Sequence, residues 1–206
     1  MSKILLSTSY FPPIEYMAKI IEADEVIIEA HENFQKQSYR NRCYIAGPNG
    51  KQMLNIPIVK PQGNHTTIQE VLLSTPFNWK EQHWNSIETA YNSSPFLLYY
   101  EDEIKEVFFD NHKTLWDFNW ALLNLSKELL QIETLFTPSD KYISKPESSI
   151  DLRNKIHPKK PSTLVQEPYI QVFSSKYDFI PNLSLLDLLF NLGPESGIYL
   201  RKKQHK

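Results

Sequence analysis

The hydrophobic positions of this chain change period along its length, and the change predicts where strands and helices lie. Lys3–Ser7 and residues 24–30 are short apolar runs that predict two buried strands. Between them, residues 14–23 place isoleucine and methionine at helical spacing, directly after a pair of prolines. A strand, a helix and a second strand in this order predict a parallel strand pair with a right-handed crossover.

The middle of the chain predicts a hairpin followed by helices. Residues 40–59 contain two strand-like runs around a Gly-Pro-Asn-Gly turn at residues 47–50. Residues 66–74 are a further strand candidate. The clearest amphipathic helix has its apolar residues at alternating steps of three and four, at Leu115, Phe118, Leu122, Leu125 and Leu129.

The last third predicts an exposed excursion and a tail that returns to the core. Serine, lysine and proline replace apolar residues over 137–167. Residues 168–173 predict a strand, and Ser184 with Asp187 gives a helix-capping signature before a leucine-rich run. We therefore predict an α/β fold with a mixed sheet, divided into a core domain at 1–136, the excursion at 137–167 and a docked tail at 168–206.

Composition narrows the class of protein. The chain has 206 residues and a net charge of −2, which provides no electrostatic basis for bulk nucleic-acid or membrane binding. Glycine-rich phosphate motifs are missing, so no cofactor is expected. The single cysteine, Cys43, is expected to be a small buried residue. With no apolar run long enough for a signal peptide or a membrane span, we expect a cytoplasmic protein.

The second predicted strand runs directly into the densest group of chemically active residues, HENFQKQSYRNR at residues 31–42. Sites in α/β folds usually lie at the carboxyl ends of strands. His31 is the candidate general base, and a structural histidine is the alternative. Glu29 and His31 are expected to share a strand face and to orient one another.

Three basic residues of this stretch suit an anion. Lys36, Arg40 and Arg42 are the candidates, and arginine presents a forked donor that fits phosphate or carboxylate. If the chain is extended here, Arg40 and Arg42 point to the same face. The alternative is an edge strand whose charges prevent unwanted sheet pairing. The expected partner is an anionic small molecule, and the oligomeric state stays open.

Other candidate chemistry favours structural explanations. His83 lies one helical turn after Trp79, which is typical of a packed core histidine. No metal site is expected, because the histidines lack paired ligand spacing and there is one cysteine. Aromatic residues at helical spacing are more often core than pocket lining.

The sequence also resembles the WbqC-like protein family. The matching pieces include SYFPPIEYMAKI, the stretch ADEVIIEAHENFQKQSYRNRCYI, a W-x-x-x-x-W motif at Trp79 and Trp84, AYNSSPF, and the tail FIPNLSLLDLLFNLGPE. The resemblance rests on the order and spacing of these pieces along the chain. The resemblance implies a role in O-antigen or other surface-polysaccharide biosynthesis, and it implies an aminoacyl transferase, with glycine suggested as the transferred group.

The family pattern transfers to this chain residue by residue. It places its recognisable residues at Tyr10, Pro12, Phe34, Lys36, Asn41 and Arg42. Many relatives have His-Gln-Pro just before the tyrosine, where this chain has Leu-Ser-Thr at residues 6–8, so no histidine is carried over from that motif.

The expected site lies where the loops after the first two strands meet. Its residues are His31 as the catalytic base and Tyr10, Lys36, Arg40, Asn41 and Arg42 as ligand-binding residues. Three functions remain open at this point: an acyl or aminoacyl transferase acting on a sugar or nucleotide-sugar, a non-catalytic binding protein for an anionic ligand, and an interaction protein that docks a partner through its tail helix.

Overall fold

The fold is built on a parallel sheet with helices packed around it. A computed structural model describes residues 2–75 and 78–202. The end of the predicted tail, residues 203–206, lies outside the described part. The sheet has four strands: β1 (Lys3–Ser7), β2 (Glu25–Glu29), β7 (Phe136–Pro138) and β8 (Ile150–Asp151). Their order is β7-β2-β1-β8, and every neighbouring pair is parallel.

The predicted opening is confirmed. Helix α1 (Ile14–Glu22) connects β1 to β2, and Leu5 lies opposite Ile27 in their parallel register. The outer strands β7 and β8 both come from the segment predicted as an excursion, so this segment contributes to both edges of the sheet. It is largely half-exposed or exposed, yet strand pairing fixes its start at β7 and its middle at β8.

The predicted hairpin is also confirmed. Strands β3 (Arg42–Gly47) and β4 (Gly50–Asn55) are antiparallel and joined by Pro48 and Asn49. Gly50 adopts a φ of 94°, which a residue with a side chain rarely tolerates. The strand candidate at 66–74 is shorter than predicted: a 3₁₀ turn at Ile68–Glu70 precedes β6 (Leu72–Leu73), which pairs with β5 (Ile58–Val59).

Helices make up much of the remaining regular structure. The described residues contain α2 (Trp79–Tyr91), α3 (Leu97–Phe109), α4 (Leu115–Leu129), α5 (Leu185–Leu192) and α6 (Ser196–Lys202). The leucine-rich stripe of α4 packs into the core as predicted, except that Leu129 is only partly buried. Within the described residues, no helix is both long and apolar enough to cross a membrane.

The predicted strand at residues 168–173 is wrong: this stretch has no strand pairing. Its alternation has another cause. Tyr169 and Gln171 turn inward and donate hydrogen bonds to the buried Asp187 carboxylate, at 2.6 and 2.8 Å, while Ile170 is 82% exposed. The period of two therefore reflects polar side chains bonded to a core carboxylate.

Asp187 is buried at the start of α5, where Ser184 caps the helix as predicted. Burial raises the pKa of Asp187, although hydrogen bonds from Tyr169, Gln171 and Tyr91 oppose the shift.

This raised pKa predicts a pH effect on stability. The folded state holds a proton on Asp187 more tightly than the unfolded chain, so raising the pH from about 4 through the folded pKa costs stability. Asparagine does not titrate in this range. We therefore expect the unfolding free energy of wild type minus that of Asp187→Asn to fall with rising pH. Urea unfolding of both proteins at pH 4 and pH 7 measures it, and a difference that grows with pH contradicts the assignment.

Candidate functional site

A polar cavity lies beyond the carboxyl ends of strands β2 and β8, where α/β folds usually place their sites. Its volume is about 370 Å³. The loop after β2 and the segment around β8 supply its wall: His31, Glu32, Asn33, Gln35, Tyr142, Arg153 and Asn154. The predicted catalytic residue His31 is therefore beside a cavity that a small ligand fits.

Glu29, the last residue of β2, is hydrogen-bonded to two residues of the cavity wall, His31 and Arg153. Its side chain is fully buried. One carboxylate oxygen accepts hydrogen bonds from the backbone N–H of His31 at 2.9 Å and from the Ser139 hydroxyl at 2.8 Å. The other accepts from the Ile143 backbone N–H at 3.0 Å and from Arg153 Nη1 at 3.1 Å. One carboxylate thus joins the loop after β2 to two parts of the excursion.

Arg153 is the cation of this network. Its Nε and Nη2 donate to the two carboxylate oxygens of Asp151 at 3.0 and 2.7 Å, and Nη1 also donates to the Ile143 carbonyl at 2.7 Å. Hydrogen bonding from Arg153 lowers the pKa of Asp151. The guanidinium lies 5.6 Å from the ring centroid of Tyr142. Two carboxylates therefore compensate the charge of Arg153, and its hydrogen bonds join Asp151, Ile143 and Glu29 at the cavity wall.

Arg40 is also paired inside the protein. It is 1% exposed, and its Nε and Nη2 donate to both oxygens of Glu32 at 2.7 and 2.6 Å. Arg40 precedes β3, so the strand alternation that would place it beside Arg42 does not apply. The forked donor expected to bind a ligand is occupied by Glu32, and we leave Arg40 out of the proposed ligand contacts.

Tyr10 belongs to the aromatic core. It is fully buried, and its hydroxyl is hydrogen-bonded to His83 Nδ1 at 2.9 Å. Burial lowers the pKa of His83 to about 4, so this imidazole is neutral at pH 7. The rings of Trp79 and His83 are 5.2 Å apart, which confirms that His83 is a core histidine. Tyr10 does not line the cavity at His31, and we leave it out of the proposed site.

Asn41 and Cys43 also have structural surroundings. The Asn41 amide donates to the Ile56 carbonyl at 3.0 Å and to Asn55 Oδ1 at 3.3 Å, which fixes the end of β4. Cys43 is buried as predicted, and burial raises the pKa of its thiol. At neutral pH this thiol therefore stays protonated and is a poor nucleophile.

Lys36 and Arg42 have different neighbours. Lys36 is exposed and lies close to Lys60, whose pKa is lowered by desolvation and by the Lys36 ammonium. Arg42 is half-buried at the start of β3; its guanidinium forms no hydrogen bond or ion pair with the described residues, and its Nε is shielded from solvent without an acceptor. None of the five expected ligand-binding residues is among those that line the cavity at His31: Tyr10, Lys36, Arg40, Asn41 and Arg42.

Sequence reasoning missed the contribution of the excursion. Tyr142, Arg153 and Asn154 line the cavity although they come from the segment with the lowest apolar density. The available signal was the alternation Ile150-Asp151-Leu152-Arg153, a short strand pattern that ends in a charged residue. Within the described residues, no three histidine, cysteine or acidic side chains cluster in a way that could hold a metal ion.

Comparison with known protein families gives a match that includes the cavity. A family profile matches residues 8–164, a range that includes every residue of the cavity wall. The chain belongs to the WbqC-like protein family. This WbqC-like protein is also 27% identical, over 223 aligned residues, to the uncharacterized protein Rv1507c of Mycobacterium tuberculosis, and the alignment covers 96% of each chain. No solved structure matched it.

Proposed function

We propose that this WbqC-like protein is a cytoplasmic transferase that moves an aminoacyl or acyl group onto a sugar or nucleotide-sugar in surface-polysaccharide biosynthesis of the O-antigen type. The observation that carries the proposal is the position of His31 in the wall of a polar cavity, with its backbone fixed by the buried carboxylate of Glu29. The family resemblance supplies the class of reaction.

The wall suits a ligand with many hydroxyl groups. Asn33, Gln35 and Asn154 offer amide donors and acceptors in the same cavity. The exposed ring of Tyr142 adds a flat apolar surface at the rim. A sugar presents this combination of polar edges and small apolar faces.

His31 acts as the general base in the proposed step. Its imidazole takes the proton of an acceptor hydroxyl while the oxygen attacks the carbonyl carbon of an activated donor, for example a thioester. The carbon–sulfur bond then breaks, and the thiolate leaves with the proton that His31 returns. The products are an acyl ester of the sugar and a free thiol, and a positioned base typically contributes 10²–10⁴-fold to such a step.

A non-catalytic binding protein is the second candidate. Glu32 and Arg153, the charged residues of the wall, are already paired with Arg40 and with Asp151 and Glu29. A cavity whose charges are internally compensated also fits a protein that only binds. Docking of a partner through the apolar face of α5 is not proposed, because that face is buried within the fold.

The test combines a ligand panel with one substitution. Native mass spectrometry against nucleotide-sugars, aminoacyl donors and acyl thioesters identifies a donor and acceptor pair, and turnover is then followed by the mass of the product. We expect His31→Ala to lower turnover by about 10²–10⁴-fold while binding changes little, because only the base is removed.

His65→Ala is the matched control, since it removes an exposed histidine from the short helix at Gly63–His65, outside the cavity wall. It should leave turnover unchanged. Turnover that survives His31→Ala contradicts the catalytic role, and ligand binding without any turnover by the wild type favours the second candidate.

A further inference from the structure

We propose that a phosphate or diphosphate group binds on a basic surface next to the cavity, formed by Arg42 of β3 together with His157, Lys159 and Lys160 of the loop after β8. We name these four residues the basic surface. The inference rests on the proposed function in one respect: the same ligand is taken to extend from this surface to His31.

Arg42 provides the first observation. Its guanidinium has no acceptor among the described residues, and the Nε atom is inaccessible to solvent. Arg40 and Arg153, the buried arginines at this end of the sheet, are each paired with carboxylates. A half-buried arginine whose donors lack an acceptor is suited to an oxyanion, which accepts two parallel hydrogen bonds from the fork.

The loop after β8 is fixed in a defined conformation. The backbone N–H of Lys155 donates to the Leu152 carbonyl at 3.1 Å, and that of Lys160 donates to the His157 carbonyl at 2.9 Å. The backbone N–H of Lys159 donates to His157 Nδ1 at 3.1 Å. These bonds fix the backbone of the loop around His157, so the cost of ordering that backbone on binding is already met by the fold.

Cations gather around His157. Its pKa is lowered by burial and then by the charges of Lys160, Arg40, Lys159 and Arg42. Glu32 compensates Arg40. Among the described residues, Lys159, Lys160 and Arg42 form no ion pair with a carboxylate, and this leaves a local excess of positive charge in a chain whose net charge is −2.

The basic surface adjoins the cavity. Lys160 Nζ donates to the carbonyl of Asn154 at 2.8 Å, and Asn154 belongs to the cavity wall. A phosphate ester bound on the basic surface can therefore extend its other end into the cavity. Two ligands of the proposed reaction carry such a phosphate group: a nucleotide-sugar acceptor has a diphosphate, and a thioester donor can have a phosphopantetheine.

Pyrophosphate is the probe for this surface, measured by isothermal titration calorimetry at about 50 mM salt so that screening stays low. We expect Arg42→Ala to weaken pyrophosphate binding by about ten- to a hundredfold, the effect of losing a charge-assisted forked contact. Arg42→Lys keeps the charge and loses the fork, so its pyrophosphate affinity should lie between those of wild type and Arg42→Ala. In NMR spectra the His157 ring signals should shift on adding pyrophosphate to the wild type.

Arg201→Ala is the matched control. Arg201 lies on α6 and donates to the Gln131 carbonyl, away from the cavity wall and the basic surface, so its loss should leave binding unchanged. Equal pyrophosphate affinity in wild type and Arg42→Ala, with both folded by circular dichroism, overturns the inference, as does binding that leaves the His157 signals unmoved.

Two further ligands identify the source of the phosphate. Arg42-dependent binding of a nucleoside diphosphate assigns the surface to the acceptor, and Arg42-dependent binding of 4′-phosphopantetheine assigns it to the donor. The outcomes also separate the two proposals: Arg42-dependent pyrophosphate binding without His31-dependent turnover removes only the transferase, and the reverse result removes only the basic surface.

Discussion

Replacing Glu29 with alanine is expected to lower the free energy of unfolding by about 3–5 kcal/mol, the usual cost of removing one partner of a buried ion pair. The carboxylate is fully buried and accepts hydrogen bonds from His31, Ser139, Ile143 and Arg153. Without it, these donors lose their acceptor, and Arg153 retains only Asp151 as a counter-charge. Urea unfolding followed by circular dichroism measures the change.

Glu25→Ala is the matched control on the same strand. Glu25 begins β2, its side chain is 52% exposed, and it pairs with Lys3 at 2.6 Å. An exposed pair of this kind contributes about 0–1 kcal/mol. If Glu29→Ala costs no more than Glu25→Ala, the buried network does not stabilise the fold. A double variant with Arg153→Ala should cost less than the sum of the single changes, because both remove the same contact.

Some elements of the fold were predictable because their apolar patterns can be recognised within the element itself. Strands β1 and β2 and helix α4 each have an apolar pattern that their burial repeats. Strands β7 and β8 are only three and two residues long, too short for a period to be visible. Their formation depends on parallel pairing with β2 and β1, which is a property of the assembled sheet.

For the candidate site too, the sequence predicted only what a local pattern determines. The sequence placed His31 at a strand end correctly, since that position follows from the length of β2 alone. It did not distinguish Arg40 from Arg42, because the difference is the position of Glu32, whose carboxylate pairs with Arg40. It did not predict that Arg153 reaches Glu29, 124 residues earlier in the chain. Partners that meet only through tertiary structure leave no local pattern.

Leu188→Ala is expected to destabilise the protein by about 2–5 kcal/mol, the range for removing a large side chain from a packed core. Leu188 is fully buried on α5. The chain just before α5 is also bonded to the core: the Ser184 N–H donates to the Tyr44 carbonyl at 2.7 Å, and the Ile14 N–H donates to the Leu183 carbonyl at 2.9 Å. Thermal unfolding measures the change, and a loss of this size lowers the Tm by roughly 5–15 °C.

Leu192→Ala, at the partly exposed end of the same helix, is the control and should cost clearly less. Truncation after Pro181 removes α5 and α6. The core residues that α5 covers then become exposed, so the truncated chain should be insoluble or have a much lower Tm. A truncated chain that melts like the full protein would show that the tail is an independent module. Agreement between the point variant and the truncation would instead show that residues 1–181 need the tail helix to complete their core.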